Sequence, residues 1–235
     1  MAKIHSFESM AAVDGVGLRC AVFFYGCPLR CVYCHNPDTW GTGGTEMSAK
    51  EVADKIARFK PYFKNGGGAT FSGGEPLLHA DFICETAKEL NANSIGYTLD
   101  TSGTVELNDA VKSAIKGADS VILDLKFYNE QMYEKYCGEG YYKMLETAHY
   151  CNSISKPLWL RTVIVPGIND TYEDIKKYAA VAKTLAPIRY ELLAFHTMGF
   201  FKYEKLGIDN PLKKHKALDK GRLIELQQQM DELMK

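Results

Sequence analysis

A buried β-strand is indicated near the N-terminus by Leu18-Arg19-Cys20-Ala21-Val22-Phe23-Phe24, a short and mainly apolar run. Similar runs recur along the chain, and a longer amphipathic segment separates each from the next. This alternation is typical of an α/β fold with a parallel sheet. The further predicted strands are Ala69–Ser72, Ile95–Leu99, Ser120–Leu125, Leu158–Val165 and Ile188–Ala194.

Amphipathic segments between these strands predict helices that return the chain to the same edge of the sheet. Two of them begin with a capping pattern, Ser48 followed by Glu51 and Thr171 followed by Asp174. Parallel strands with right-handed helical crossovers form either an open doubly wound sheet or an incomplete barrel. The predicted helices are Ser48–Lys60, Asp81–Asn91, Asn108–Lys116, Asn129–Tyr136, Lys143–Asn152, Thr171–Leu185 and Lys214–Met234.

The composition indicates one globular domain over residues 1–235, with an N-terminal segment at 1–20 and a C-terminal helix at 214–235. The 28 basic residues nearly balance the 29 acidic ones, so a nucleic-acid-binding surface is not expected. The N-terminus lacks the apolar core of a signal peptide, and no apolar stretch has the length of a membrane span. We therefore expect a cytoplasmic chain with no membrane partner.

Polar residues follow the predicted strands where each strand ends. Because parallel strands bring their carboxyl ends to one face, these residues are expected to converge there on a single site. In strand order they are the loop Gly26–Asn36, Ser72-Gly73-Gly74-Glu75-Pro76, Asp100-Thr101, Asp124-Leu125-Lys126, Arg161 and His196.

The loop Gly26-Cys27-Pro28-Leu29-Arg30-Cys31-Val32-Tyr33-Cys34-His35-Asn36 carries three crowded cysteines. Soft thiolates bind zinc, copper(I) or iron–sulfur clusters. A structural zinc site usually has four ligands, yet no second Cys-x2-Cys pair exists and His35 adjoins Cys34 too closely to reach the same ion easily. Three thiolates on a four-iron cluster leave one iron open, as catalysis requires. A zinc-binding interaction module is the alternative.

The other four cysteines show no ligand spacing and are expected to be small buried hydrophobic residues; they are Cys20, Cys84, Cys137 and Cys151.

The cysteine spacing resembles that of the radical S-adenosylmethionine (SAM) superfamily. Within it, the chain resembles the glycyl-radical activases of the pyruvate formate-lyase type, through Gly15-x-Gly17-x-Arg19 followed by Phe23 and Gly26-Cys27. Many other activators carry a cysteine-rich ferredoxin insert after the cysteine loop, whereas here the next cysteine after Cys34 is Cys84. The resemblance covers almost the whole chain and implies an incomplete (β/α)6 barrel of the TIM type.

The resemblance implies that Cys27, Cys31 and Cys34 bind a [4Fe-4S] cluster whose fourth iron is chelated by SAM. Reductive cleavage of SAM would then give a 5′-deoxyadenosyl radical, which abstracts a hydrogen atom from a backbone glycine of pyruvate formate-lyase. The implied electron donor is flavodoxin or a similar carrier, and we expect a monomer. Activation of a different glycyl-radical enzyme, or action on a small molecule, is the alternative.

The resemblance also assigns roles to individual residues. Tyr33 would lie beside the adenine, Glu75 would meet the SAM amino group, and Lys126 would pair with its carboxylate. The implied catalytic residues are the three cysteines with Lys126 and Arg161. The full implied SAM-binding set is Tyr33, Cys34, His35, Gly73, Gly74, Glu75, Asp124, Leu125, Lys126, Arg161 and His196.

Two further sites are implied. A monovalent cation, Na⁺ or K⁺, would bind Asp100, Thr101, the backbone of Ile122, and Asp124. The alternative for Asp100 and Thr101 is hydrogen bonding into the next turn. Asp14 would help hold the incoming peptide loop.

Overall fold

In the computed structural model, which describes all 235 residues, eight strands form one sheet. Its spatial order is β3-β1-β2-β4-β5-β6-β7-β8, and neighbouring strands from β2 to β8 are parallel. The strands are β1 (Ala2–Ala11), β2 (Arg19–Phe24), β3 (Thr45–Met47), β4 (Gly68–Gly73), β5 (Tyr97–Thr101), β6 (Ser120–Asp124), β7 (Leu158–Ile164) and β8 (Arg189–Ala194). The six predicted parallel strands are confirmed, and the sheet stays open because β3 and β8 are its edges.

Eight α-helices accompany the sheet, and both predicted capping boxes are present, at Ser48 and Thr171. The helices are α1 (Ala49–Ala57), α2 (Ala80–Ala92), α3 (Asp109–Gly117), α4 (Glu130–Tyr136), α5 (Tyr141–Ser153), α6 (Tyr172–Leu185), α7 (Phe200–Leu206) and α8 (Lys220–Leu233). None of them combines the length and the apolar character needed to cross a bilayer.

The chain termini differ from the sequence expectation. The N-terminal segment contains a ten-residue strand, β1, which pairs antiparallel with β2 and β3. Only Ala2, Ile4 and Ala11 of this strand are buried, so it carries no apolar run that could have indicated it. At the other end, α8 begins at Lys220 rather than Lys214, because the Asp219 side chain caps it by accepting a hydrogen bond from Arg222 N–H at 3.1 Å.

The loop between β1 and β2 is held by the buried guanidinium of Arg19. Arg19 donates hydrogen bonds to Thr70 Oγ1 at 2.6 Å, to the Ala69 carbonyl at 2.5 Å and to the Val16 carbonyl at 2.9 Å. This loop precedes β2, so it lies at the amino ends of the parallel strands. It therefore meets the sheet at the end opposite to the cysteine loop.

Candidate active site at the carboxyl ends of the strands

The cysteine loop is fixed by backbone hydrogen bonds to segments far away in sequence. Glu75 N–H donates to the Gly26 carbonyl at 2.8 Å, while Arg30 N–H and Val32 N–H donate to the carbonyls of Cys137 and Tyr136 at 2.7 and 2.8 Å. The loop is therefore clamped between the segment after β4 and the end of α4.

A second set of contacts holds the end of the loop from the side of α7. The Tyr203 hydroxyl donates to the Cys34 carbonyl at 2.9 Å, and Lys202 Nζ donates to Asn36 Oδ1 at 2.7 Å. Together these bonds fix the positions from which the three thiols project.

The three thiols of the cysteine loop all have raised pKa values, which one cation opposes. Burial raises the pKa of Cys27 to about 12 and that of Cys34 to about 11. A hydrogen bond to Cys137, followed by burial, raises the pKa of Cys31 well above its ordinary value. In each case attraction by the Lys126 ammonium opposes the rise in pKa. No group of three His, Cys, Asp or Glu side chains is arranged around a point where a single metal ion would bind.

The Gly73-Gly74 step brings the segment after β4 against the start of the cysteine loop. Gly73 has a φ of 113°, and a Cβ atom there would overlap the Phe24 nitrogen. A Cβ atom on Gly74 would overlap the Gly26 carbonyl oxygen. Glycine is therefore required at both positions, because the backbone of Phe24 and Gly26 occupies the space that a side chain would need.

Glu75 is completely buried, and its carboxylate is already saturated within the protein. Oε1 accepts hydrogen bonds from Thr101 Oγ1 at 2.5 Å and Leu77 N–H at 2.9 Å. Oε2 accepts from the N–H and the hydroxyl of Ser102 at 2.9 and 2.5 Å. A carboxylate offers about four acceptor positions, and these four bonds occupy them. Through Thr101 and Ser102, Glu75 joins the segments that follow β4 and β5. The expected contact between Glu75 and the amino group of SAM stays a prediction.

The variant Glu75→Gln is expected to lower the stability of the protein, because its amide nitrogen would face donors instead of accepting from them. An unpaired buried donor costs about 1–3 kcal/mol, which corresponds to a fall in Tm of roughly 2–12 °C for a chain of this size. Differential scanning calorimetry measures it, with Glu85→Gln on the exposed face of α2 as the matched control. Equal Tm values for the two variants would contradict the role given to Glu75.

Two carboxylates lie at the ends of adjacent strands, as the strand patterns predict. Asp100 accepts a hydrogen bond from Ser72 Oγ at 2.7 Å, and Asp124 pairs with Lys126 Nζ at 2.6 Å. Burial, and then repulsion by Asp124, raises the pKa of Asp100 to about 7. The two carboxylates thus form a negatively charged pair that Arg161 neutralises only in part.

This raised pKa predicts a pH dependence of stability. Because Asp100 holds a proton in the folded state up to a pKa of about 7 and in the unfolded state only to about 3.8, its contribution to stability is lost as pH rises between these values. We expect Asp100→Asn to abolish this part of the dependence. Urea denaturation of both proteins across that window, in buffer free of Na⁺ and K⁺, measures the difference. Parallel curves for the two proteins would contradict the prediction.

Arg161 lies at the centre of β7 with its guanidinium buried. It is in register with Asp124 on β6 and Glu191 on β8, and its Nε donates to Glu191 Oε2 at 2.9 Å. Glu191 was not predicted as a site residue. It could have been, because it is a charged residue within an apolar strand, which is the feature that indicated Arg161. The ion pair with Glu191 gives the buried guanidinium of Arg161 the partner that it was expected to need.

Asp14 lies in the β1–β2 loop, which leaves the amino ends of the strands and contacts side chains from the middle of β4 and β7. Its carbonyl accepts a hydrogen bond from Thr70 Oγ1 at 2.7 Å, and Arg161 Nη2 donates to the neighbouring Val13 carbonyl. Burial raises the pKa of Asp14, while Arg161 and Arg19 oppose this. Arg161 therefore joins β8 to the β1–β2 loop.

The remaining predicted residues divide into two groups. His35 and His196 meet edge to face, with ring centroids 4.5 Å apart, and His196 Nδ1 is buried without a hydrogen-bond partner. In contrast, Leu125 is fully buried with its backbone bonded to β7, and Tyr33 packs against Phe127. Ile122 lies in the sheet opposite Asp100. The ligand contacts expected of Leu125, Tyr33 and Ile122 stay predictions.

Comparison with known proteins identifies the family to which this chain belongs. The family model of the radical SAM superfamily matches residues 21–179. The pyruvate formate-lyase-activating enzyme of Clostridium pasteurianum is 42% identical, over 100% of this chain and 99% of the relative. The chain belongs to the radical SAM superfamily, in the family of pyruvate formate-lyase-activating enzymes.

A second relative and one solved structure show similar likenesses. The pyruvate formate-lyase-activating enzyme of Listeria monocytogenes is 37% identical, over 91% of this chain and 89% of that relative. Among solved structures, a radical SAM methyltransferase from Sphaerobacter thermophilus has the same fold, with a TM-score of 0.64 at 13% identity, covering 99% of this chain and 75% of the other.

The site residues of this radical SAM chain fit the two cofactors of the superfamily. The three thiols are soft ligands for iron, and Lys126 offers a cation to a carboxylate. The unpaired, buried His196 Nδ1 is a polar group still available to a ligand.

Proposed function

We propose that this chain activates pyruvate formate-lyase by removing a hydrogen atom from a backbone glycine, using a [4Fe-4S] cluster on Cys27, Cys31 and Cys34 together with SAM. The observation that supports this most strongly is the cysteine loop itself, whose backbone is fixed by hydrogen bonds to the segment after β4 and to the end of α4. It occurs in a chain that is 42% identical over its full length to a protein named pyruvate formate-lyase-activating enzyme.

When bound, the cluster and SAM supply reductive cleavage of a carbon–sulfur bond and the carbon radical that takes the hydrogen atom. The protein binds and orients these groups and excludes water. Lys126 pairs with the SAM carboxylate, the Gly73-Gly74 backbone receives its amino group, and His196 Nδ1 provides a further polar contact. His35, Cys34, Asp124, Leu125, Tyr33 and Glu75 complete the proposed SAM surroundings.

We also propose a monovalent cation, Na⁺ or K⁺, at Asp100, Thr101, Asp124 and the Ile122 backbone. Repulsion between Asp100 and Asp124, visible in the raised pKa of Asp100, supports it. The hydroxyl of Thr101 already donates to Glu75 and accepts from Gly103 N–H at 2.9 Å, so its contribution to the cation would come from a remaining lone pair or its backbone.

The peptide loop of the partner would enter across the open side of the sheet, with Asp14 helping to hold it. Arg161 would then orient the loop from inside the barrel. We further propose that flavodoxin or a similar carrier supplies the electron, and that the chain acts in the cytoplasm as a monomer formed by one domain, residues 1–235. All seven cysteines are free, as a reducing compartment requires.

The test uses protein reconstituted anaerobically with iron and sulfide, then incubated with reductant, SAM and pyruvate formate-lyase. Electron paramagnetic resonance is expected to show a glycyl radical, with a partner carrying alanine at the radical position as the control. Rapid SAM cleavage without that radical, in the presence of another substrate, would favour the small-molecule alternative. One zinc per chain with no iron or sulfide would instead favour the interaction module.

A further inference from the structure

Strand β8 forms one edge of the sheet, so the backbone groups on its outer side face no neighbouring strand. Exposed edges of this kind can pair with another chain, and short edge strands reduce that risk. The opposite edge, β3, has only three residues. Strand β8 has six residues, and neither a proline nor a bulge interrupts its pairing with β7. Of the two edges, β8 therefore has the greater need of protection.

A groove of about 670 Å³ runs along the outer edge of β8. Its lining consists of residues 187–193 together with Gln227, Asp231, Met234 and Lys235. Two apolar side chains at this edge are exposed, Ile188 by 67% and Leu193 by 37%. An accessible edge strand that also presents apolar side chains is a surface to which another strand can add.

The side-chain amide of Gln227, which lies on α8, occupies the middle of this edge. Its Oε1 accepts a hydrogen bond from Leu192 N–H at 2.8 Å, and its Nε2 donates to the Tyr190 carbonyl at 3.0 Å. In a β-ladder, the backbone of a neighbouring strand bonds to such donors and acceptors. Gln227 therefore stands in for the N–H and C=O groups of a ninth strand.

The helix α8 holds this amide in position. Gln227 Nε2 also donates to Asp231 Oδ1 at 2.8 Å, one turn further along the helix. Leu226 and Met230 are fully buried and anchor α8 to the rest of the fold. Because the amide is already fixed, an incoming strand must displace it before pairing with Tyr190 and Leu192.

We infer that Gln227 closes the outer edge of β8 against strand addition by a second copy of this chain. Charged side chains often protect an edge, but Arg189 and Glu191 form an ion pair with each other. In an antiparallel pair of β8 strands centred on Tyr190, Arg189 of each copy lies opposite Glu191 of the other, and opposite charges in this arrangement attract. The inference goes beyond the proposed function, because it requires neither a cluster nor a partner enzyme.

The test compares the wild type with Gln227→Leu and Gln227→Ala by analytical ultracentrifugation over a range of protein concentrations. Both variants lose the amide, and a two-fold symmetric contact closes on itself, so we expect the average mass to rise with concentration to about twice that of the monomer. Gln228→Leu is the matched control, because Gln228 is the next residue of α8 and is exposed. Gln227→Glu retains an acceptor for Leu192 N–H and adds a charge at the edge, so it should stay monomeric.

Hydrogen exchange at the Leu192 amide measures the contact itself, at a concentration where every variant is monomeric. We expect this amide to exchange about fivefold faster in Gln227→Ala and Gln227→Leu than in the wild type, as for the loss of one hydrogen bond. Gln228→Leu should leave the rate unchanged.

The inference would be overturned if Gln227→Leu and Gln227→Ala stayed monomeric at every concentration, or if exchange at Leu192 did not change. Equal dimerisation of Gln228→Leu would also overturn it, because any added apolar side chain would then be sufficient. Open-ended aggregates in place of a dimer would do the same, since they require a contact other than β8 with β8. These measurements do not depend on the cluster, so they are independent of the test of the proposed function.

Discussion

Cys31→Ala is expected to abolish both the iron–sulfur cluster and SAM cleavage. Cys31 is 8% exposed and lies on a loop clamped through Arg30 and Val32 to the end of α4. The loop cannot move another thiol into the vacated place without breaking these bonds. Iron and sulfide content, visible absorbance and methionine release after reduction with SAM present measure the effect.

Cys151→Ala is the matched control. Cys151 is equally inaccessible, but it lies within α5, where burial alone dominates the rise in the pKa of its thiol to about 12. The substitution should reduce stability slightly and leave iron content unchanged. Equal loss of iron from the two variants would contradict the division of the cysteines into ligands and core residues.

Lys126→Met is expected to weaken SAM binding at least about 30-fold, the minimum for removal of one partner from a buried charge pair. Burial alone would lower the pKa of Lys126, but Asp124 and the Cys31 sulfur raise it well above its ordinary value, so the ammonium stays charged. Without that charge, Asp124 and the thiolates would repel a carboxylate. Isothermal titration calorimetry of the reconstituted protein with SAM measures the affinity.

The control for this variant is Lys176→Met, which removes an ammonium paired with Glu173 on the exposed surface of α6. It should leave SAM affinity unchanged. If Lys126→Met binds SAM as tightly as the control does, Lys126 has no part in binding the carboxylate and acts only on Asp124.

The six parallel strands could be predicted from sequence because residues such as Val121, Ile122 and Leu123 are apolar in succession, as required for a strand buried on both faces. The convergence of the cysteine loop, Asp100, Lys126 and His196 followed from the strand order. Strand β1 could not be predicted, because its stability comes from pairing with β2 rather than from an apolar pattern of its own.

The contacts of individual side chains could not be predicted from the sequence either. Glu75 was expected to face a ligand, but its bonds to Thr101 and Ser102 arise only when the segments after β4 and β5 meet. The contacts of the loop that carries Asp14 with Thr70 and Arg161 depend on the antiparallel direction of β1. Such contacts are set by tertiary structure and leave no periodic signal.

The clamp on the cysteine loop has a consequence for biogenesis. Arg30 and Val32 bond to residues 137 and 136, so a nascent chain that has emerged only as far as β6 carries all three cysteines without the wall that orders them. Translation must proceed beyond α4 before the loop can adopt its final shape. Iron and sulfide delivered earlier would meet a loop that lacks these hydrogen bonds, so the ordered form of the loop that would receive a cluster exists only after α4 has been made.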